Sequence, residues 1–443
     1  MSTHAERAEV VAAQLRGSAV DGVRLRKSSS NLFRDRRAAG GAVLDVCSLD
    51  AVLSVDRAAG VIEAEGMVPY DALVEATLAH GLMPAVVPQL KSITLGGAAA
   101  GVGIEATSFR HGLVHHTLLE IEVLTGTGEI VTATPENAHR DLFFGFPNSY
   151  GTLGYALRLR AKASPVRPFV EVRHRRYGTA AACFAELAQL ADTEVDFLDG
   201  VVFSEDTLVL STGRFVDSAP WTSAYDFKRI YYRSLLERET DYLPTASYLW
   251  RWDTDWFWCS KNLGAQNPLV RRLLGRGRLN SRFYMKAMRW NSRLGLTRGL
   301  DKFSGWHRES VIQDVDIPIA HAGRFLAFLH ERIGILPIWL CPLRVRSDGR
   351  FPLYPLEPGA LYVNFGFWDV VRSRVRHPEG WFNRLIEREV IDCGGIKSLY
   401  SDCYHDEAQF WGCYGGDDYR TLKRRYDPQG RFPDLYRKCV LRH

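Results

Sequence analysis

Residues 88–112 read Pro-Gln-Leu-Lys-Ser-Ile-Thr-Leu-Gly-Gly-Ala-Ala-Ala-Gly-Val-Gly-Ile-Glu-Ala-Thr-Ser-Phe-Arg-His-Gly. Gly96, Gly97, Gly101 and Gly103 stand among residues hardly larger, so the backbone can approach a flat or charged object closely. No Gly-Lys-Ser/Thr follows, which excludes a nucleoside-triphosphate P-loop. The glycine spacing also misses the Gly-x-Gly-x-x-Gly turn of a dinucleotide fold, and Pro88 sits close upstream. What remains is a stretch whose amides and small side chains line a long, anionic, planar ligand. A tightly packed Ala/Gly-rich helix contact explains the same residues in the other way.

Working outward, residues 118–131 read as strand, tight Gly turn and strand. Asp141-Leu-Phe-Phe144 then precedes a second glycine cluster, Ser149-Tyr-Gly-Thr-Leu-Gly154, and 155–161 alternates like another strand. Upstream, a helix over 5–15 and a strand over 23–26 lead into the polar turn Lys27-Ser28-Ser29-Ser30-Asn31. Its amides and hydroxyls are suited to donate to phosphate oxygens. An ordinary Ser-rich surface loop has the same composition.

These motifs, in this order, resemble the FAD-binding domain of the vanillyl-alcohol oxidase / p-cresol methylhydroxylase flavoproteins. The other end of the chain narrows the resemblance. Pro337-Ile-Trp-Leu-Cys-Pro-Leu343, Leu361-Tyr-Val-Asn-Phe-Gly366, Leu399-Tyr-Ser-Asp-Cys-Tyr404 and Phe410-Trp411 are similar to Δ24-sterol reductases, as is the Gly-x-Gly-Ile-Glu ending of 94–105. Residues 20–165 and 310–440 carry the likeness, and 170–300 only loosely. The resemblance implies an α+β protein: a two-part FAD-binding domain of the vanillyl-alcohol oxidase type and an α+β substrate (cap) domain with an antiparallel sheet. The expected bounds are 1–166 for the FAD domain, 167–400 for the cap, and 401–443 for a segment returning to the FAD domain. The Lys423-Arg-Arg-Tyr-Asp-Pro428 ending is common in such flavoproteins.

The resemblance further implies FAD held by Lys27–Asn31, by Thr94, Leu95, Gly96, Gly97, Gly101, Gly103, Ile104, Glu105 and Ala106, by Ser108 and Gly112, and by Gly151, Thr152 and Gly154. No histidine occupies 23–35 and no cysteine 94–108, where relatives attach flavin covalently, so the FAD is expected to be noncovalent. The implied activity is saturation of a carbon–carbon double bond in a lipid, with NAD(P)H as hydride source. A sterol or polyprenoid side chain and a methylene-branched fatty acyl chain are the competing substrates. High Ala and Arg usage suggests a GC-rich bacterial genome, which favours the acyl chain and a lipid methyltransferase as pathway partner. An FAD-dependent oxidase or dehydrogenase of an alcohol or sugar-lipid carbinol is the alternative enzyme; a lipid-binding protein without flavin is the third reading.

Hydride does not add to an unpolarised alkene unaided, so an acid must protonate one carbon while ring faces stabilise charge at the other. Tyr404, Glu105 and His405 are the candidate acids, and Lys397 a candidate cation near reduced flavin. His111, His115 and His116 are candidates for a flavin contact or for a surface or capping role.

At 443 residues, 46% hydrophobic and 24% charged, the chain is ordinary for a globular protein of two domains. The net charge of +5 is modest, and arginine far outnumbers lysine. Eight cysteines include no CxxC, which argues against zinc ribbons and thioredoxin chemistry, and no metal site is expected. The polar beginning has no signal-peptide pattern, and no 18-residue apolar run stands in the chain, so a cytoplasmic protein is expected. Between 221 and 310, aromatics including Trp221, Tyr225, Phe227, Tyr231, Trp252, Trp256, Phe257 and Trp258 accompany arginines such as Arg271, Arg272 and Arg289. Such a belt suits the inner face of a membrane, an internal lipid cavity or a cap-domain core. No nucleic-acid-binding signature accompanies it.

Overall fold

A computed structural model describes residues 2–18, 22–34, 41–226, 229–284, 286, 306–345 and 349–442. Phe227 and Arg289, counted above in the aromatic and basic belt, lie outside these residues.

The first domain grows around one long strand. β1 (Val23–Arg26) and β2 (Ala42–Asp45) form a parallel pair. β3 (Val52–Asp56), β4 (Val61–Glu65), β5 (Leu82–Pro84), β6 (Leu118–Leu124), β7 (Ile130–Ala133) and β8 (Tyr155–Pro165) make an antiparallel sheet ordered β3-β4-β8-β6-β7, with β5 on the far end of β8. Period-two alternation explains the role of β8: Leu157, Leu159 and Ala161 are buried, while Arg158 lies on the other face and pairs with Glu120 at 3.0 Å and Glu122 at 3.2 Å.

The second sheet has eight strands in the order β12-β9-β11-β10-β14-β15-β13-β16, every neighbour antiparallel. They are β9 (Phe169–Tyr177), β10 (Phe197–Ser204), β11 (Thr207–Val216), β12 (Thr240–Pro244), β13 (His307–Pro318), β14 (Ile338–Arg344), β15 (Leu361–Ser373) and β16 (Ile396–Lys397). β10 and β11 form a hairpin. The Asp206 carboxylate accepts from Ser204 Oγ at 2.6 Å and Thr207 Oγ1 at 3.1 Å, closing a turn that the apolar run conceals.

One face of this sheet is covered by the helices Ala180–Leu190, Ile319–Phe328 and Trp381–Asp392, whose Leu187, Phe325 and Ile386 meet Val315, Phe365 and Phe367. The other face turns to the first domain. There Val201, Trp339 and Cys341 share a buried cluster with Leu95, Ala98 and Leu153, so one apolar core runs through both domains. The chain's end packs back on the first domain. Tyr426 Oη donates to Asp141 at 2.7 Å, Lys423 Nζ to the Thr152 carbonyl at 2.8 Å, and Lys438 Nζ to the Tyr150 carbonyl at 2.7 Å.

Candidate active site

Between the two domains lies a cavity of about 2410 Å³. Ordinary small-molecule sites run to about 1,000 Å³, so this one has room for a dinucleotide together with a substrate.

The wall from the first domain holds the segments singled out in the sequence. Lys27, Ser29, Ser30, Asn31, Thr94, Gly96, Gly97, Gly101, Gly103, Ile104, Glu105, Gly151 and Gly154 line the cavity. Ser28, Leu95, Ala106, Ser108, Gly112 and Thr152 stand behind it, outside the lining residues. Two loops are tied together here: Ser29 Oγ donates to the Ser92 carbonyl at 2.8 Å, and Ser92 Oγ to Asn31 Oδ1 at 2.9 Å. Thr94 caps a short helix, Leu95–Ala100, by accepting from the Gly97 amide at 3.1 Å. The Leu95 and Gly96 amides go to the carbonyls of Val68 and Gly66, both at 2.9 Å. That helix end is therefore already satisfied. The amides of Val102, Gly103 and Ile104 have no protein acceptor among the described residues, and they stand at the cavity. The small-residue stretch divides in two. A Cβ at Gly96 would come 2.7 Å from the Gly66 carbonyl, so this glycine serves helix packing, whereas 101–104 presents backbone to the cavity.

Glu105 ends that stretch in a buried ion cluster. Arg251 Nη2 reaches Glu105 Oε1 and Asp199 Oδ2, each at 2.7 Å, and all three residues are only 2% exposed. Trp339 Nε1 adds a bond to Asp199 at 3.3 Å. Burial raises the Glu105 pKa, with Arg251 opposing and Asp199 adding to the rise. Burial works against the Arg251 charge, yet Tyr248 and the two acids outweigh it and hold its pKa well above the ordinary value. The arrangement ties the flavin-side segment to β10 and to the 221–284 region. Nothing local in the sequence pairs position 251 with 105 and 199.

The opposite wall is the cavity-facing side of the second sheet. Alternation on β13 sends Arg308, Ser310, Ile312 and Asp314 toward the cavity, and β15 does the same with Trp368, Val370 and Arg372. Aromatic rings dominate its inner part. Phe257 lies 4.6 Å from Trp368 and 5.3 Å from Trp339 between centroids, and Phe33 stacks on Trp256 at 5.7 Å. The aromatic residues of 221–284 are thus largely cavity wall and core: Trp252, Trp256, Phe257 and Trp258 are buried, while Trp221 is exposed. Within this wall, Trp368 Nε1 donates to Tyr400 Oη at 2.9 Å, and the Tyr400 hydroxyl stands near the Asp314 carboxyl. Burial pushes Asp314 up to about 7, with Asp316 adding to the rise and Tyr400 opposing it. Asp314 is not among the acids expected from the sequence, which were Tyr404, Glu105 and His405.

The other expected acids are placed differently. Tyr404 lines the outer part of the cavity; its hydroxyl accepts from Arg442 Nη2 at 3.3 Å, and burial raises its pKa. His405 is not among the lining residues. It is buried, 3.9 Å from Glu387, and burial lowers its pKa. Lys397 is also turned away, toward Glu387 at 3.4 Å and the Asp402 carbonyl. Glu387, Cys403 and His405 bring ligand-type atoms within 4.8 Å of one another. Both Glu387 oxygens accept from the Tyr404 amide and one faces the Lys397 ammonium, so Lys397 balances the Glu387 charge. His115 and His116 stack on each other at 4.3 Å and pack against Phe351, away from the cavity.

Three observations fit FAD to the first wall. Free amides at 102–104 and cationic Lys27 and Arg34 suit a pyrophosphate, and a buried Glu105 Oε2 without a protein partner suits a ring N–H. Residues 5–134 match the FAD binding domain family. Mouse Δ(24)-sterol reductase is 28% identical over 405 residues, spanning 87% of this chain and 75% of the mouse protein. The chain is an FAD-dependent oxidoreductase related to the Δ(24)-sterol reductases. The Arabidopsis thaliana Δ(24)-sterol reductase is 24% identical across 89% of this chain and 76% of its own length. Cytokinin dehydrogenase 2 of Oryza sativa is 29% identical over 187 residues, 38% of this chain and 33% of the rice protein. The likeness to the reductases therefore reaches the cap sheet and its aromatic wall, beyond the FAD domain alone.

Proposed function

We propose that this oxidoreductase saturates a carbon–carbon double bond in a lipid, with noncovalent FAD in the cavity and NADPH as hydride source. The observation that carries the reading is the pairing of the two walls. One offers amides and cations to a dinucleotide; the other offers Phe257, Trp339 and Trp368 to a hydrocarbon. When bound, FAD takes hydride from a nicotinamide and delivers it to carbon. The chain's own residues do the rest. The Lys27–Asn31 turn and amides 102–104 would hold phosphates, Gly151 and Gly154 would flank the cofactor, and Arg251 fixes Glu105 in the cavity wall. The aromatic wall excludes water, and its ring faces favour positive charge developing on a tertiary carbon.

A trisubstituted sterol side chain and a methylene-branched acyl chain both give such a carbon, and relatives named Δ(24)-sterol reductase support the former class. The methylene-branched chain would need a lipid methyltransferase upstream. No helix among the described residues is long and apolar enough to cross a membrane. Peripheral contact at the inner face is supported by the rim of the cavity. There Val375 is 63% and Trp381 38% exposed, beside exposed Arg372, Arg374 and Arg376.

The test is isotopic. Holoprotein incubated with the deuteride form of NADPH and either a Δ24-sterol or a methylene-branched phospholipid should give saturated product with one deuterium from the nucleotide. The same incubation in D₂O with unlabelled NADPH should place one deuterium on the neighbouring carbon. Consumption of an alcohol with no saturation of either lipid would favour the oxidase reading. Acid precipitation should release the flavin into the supernatant.

A further inference from the structure

We propose that Asp314 is the residue that protonates the alkene, positioned by Tyr400 and Trp368. The inference rests on the double-bond reductase reading and names the acid that reading requires.

Asp314 is brought to the cavity by strand register. It stands on β13 opposite Gly366 of β15, two residues from Ile312, which stands opposite Trp368. Arg308, Ser310, Ile312 and Asp314 of β13 and Trp368, Val370 and Arg372 of β15 line the cavity, while Val311, Val315, Ile317, Phe365 and Phe367 pack under the helices. Its side chain is partly buried, and Oδ1 is covered without a hydrogen-bond partner. A Cβ at Gly366 would lie 2.8 Å from that oxygen and 2.6 Å from the Trp368 ring, so glycine is what lets carboxyl and indole share this spot.

The surroundings favour a protonated carboxyl. No cation pairs with Asp314 among the described residues, in contrast to Glu105 with Arg251 at 2.7 Å. The titratable groups facing it are Asp316 on its own strand, Tyr400 before the last helices, and Tyr150 from the FAD domain. Asp316 is itself held up to about 6 by burial and accepts from Tyr354 at 2.7 Å and Asn364 at 2.8 Å. Of these groups only Tyr400 favours the ionised Asp314 carboxyl, and its hydroxyl is held in place by Trp368 Nε1 at 2.9 Å. Around them stand Phe33, 5.7 Å from Tyr400, and Phe257, 4.6 Å from Trp368. An acid set among ring faces is what protonation toward a tertiary cation demands.

The step balances as follows. The carboxyl O–H bond breaks and its proton forms a C–H bond with the π electrons at the less substituted carbon. Hydride from reduced flavin supplies two electrons and the second hydrogen to the tertiary carbon. The flavin is left oxidised, and the carboxylate regains a proton from solvent.

The experiment compares wild type, Asp314→Asn and Tyr400→Phe, each scored first for flavin content and flavin reduction by NADPH. Asn copies the shape of a protonated carboxyl, so folding and flavin reduction should persist while saturation of the Δ24-sterol or methylene-branched lipid slows by on the order of a hundredfold or more. Wild-type saturation should fall as pH rises through about 7, where the acid loses its proton. Tyr400→Phe removes the nearby hydroxyl that favours the carboxylate, so that alkaline limb should move to higher pH, a shift that mere loosening would not produce. Infrared spectra of the purified protein before any reductant should contain protonated-carboxyl absorption at pH 7 that fades toward pH 8 and is weakened in Asp314→Asn, Asp316 supplying a remainder that titrates lower. Saturation by Asp314→Asn at the wild-type rate, or an unchanged band in that variant, overturns the proposal. If Asp314→Asn does not retain flavin, the Tyr400→Phe limb decides, and an unmoved limb overturns it as well. Wild type that bleaches with NADPH yet saturates neither lipid would instead sink the reductase reading itself.

Discussion

The two walls of the cavity are built in different ways. The FAD-side wall is local: 94–105 runs along it continuously, and its neighbours at 27–31 and 151–154 are short turns. The cap-side wall is assembled from single residues of separate strands and loops, Trp339 from β14, Asp314 from β13, Trp368 from β15, and Tyr400 beyond β16. Close backbone approach needs consecutive small residues, so it writes itself into sequence. A pleated face takes every second residue from strands far apart in the chain, so its chemistry is dispersed.

The largest expected effect falls on the local wall. Gly96→Val puts a branched side chain against the Gly66 carbonyl 2.7 Å from the Cβ position. Strain of about 1–3 kcal/mol or more is expected, with loss of flavin on gel filtration; a fully loaded, equally stable variant would break the account of this wall. Gly97→Val, an obvious choice from sequence, is less clean, because its Cβ would stand 2.9 Å from Thr94 Oγ1 and disturb the helix cap itself.

Where the walls meet, Arg251→Gln would leave Glu105 and Asp199 facing each other without their shared cation. Breaking a buried pair costs about 3–5 kcal/mol, read as a fall in the urea midpoint. Adding Glu105→Gln should recover part of that loss, since it removes one of the uncompensated charges. No recovery would mean the cluster is not coupled.

A smaller effect is expected at Ser92→Ala, which removes the hydroxyl joining the two FAD loops through Asn31. A net hydrogen bond is worth about 0.5–1.5 kcal/mol, so FAD should bind several-fold more weakly, by fluorescence titration, with saturation at full loading unchanged. The smallest belongs to Tyr404→Phe. Its hydroxyl meets Arg442 at 3.3 Å in the outer part of the cavity, and saturation should change less than about threefold in steady-state assays. A hundredfold loss with flavin reduction intact would move the acid from Asp314 to Tyr404.

Much of the fold could be read from the chain because alternation and turn residues mark strands directly. The helix over 5–15 and the strands over 23–26, 118–131 and 155–161 were legible in this way. The hairpin at Glu205-Asp206 was not, because its strands are apolar almost up to the turn. For the site, the small-residue stretch announced itself, and Glu105 came with it. Arg251 was hidden among other arginines, and its importance lies in two acids 146 and 52 positions away. Asp314 and Tyr400 were passed over for the same reason: an acid in a strand and a tyrosine in a loop are ordinary until strand register and Trp368 bring them together. The motif around Tyr404 drew attention to the right segment but to the residue four places beyond Tyr400.

The most direct test of two facing walls, one for flavin and one for a lipid alkene, is anaerobic stopped-flow absorbance of the purified holoprotein. NADPH should bleach the flavin rapidly, and subsequent mixing with a Δ24-sterol or a methylene-branched phospholipid should restore the oxidised spectrum as saturated lipid appears. Flavin that NADPH leaves oxidised, that an alcohol bleaches, and that only oxygen restores would contradict the account.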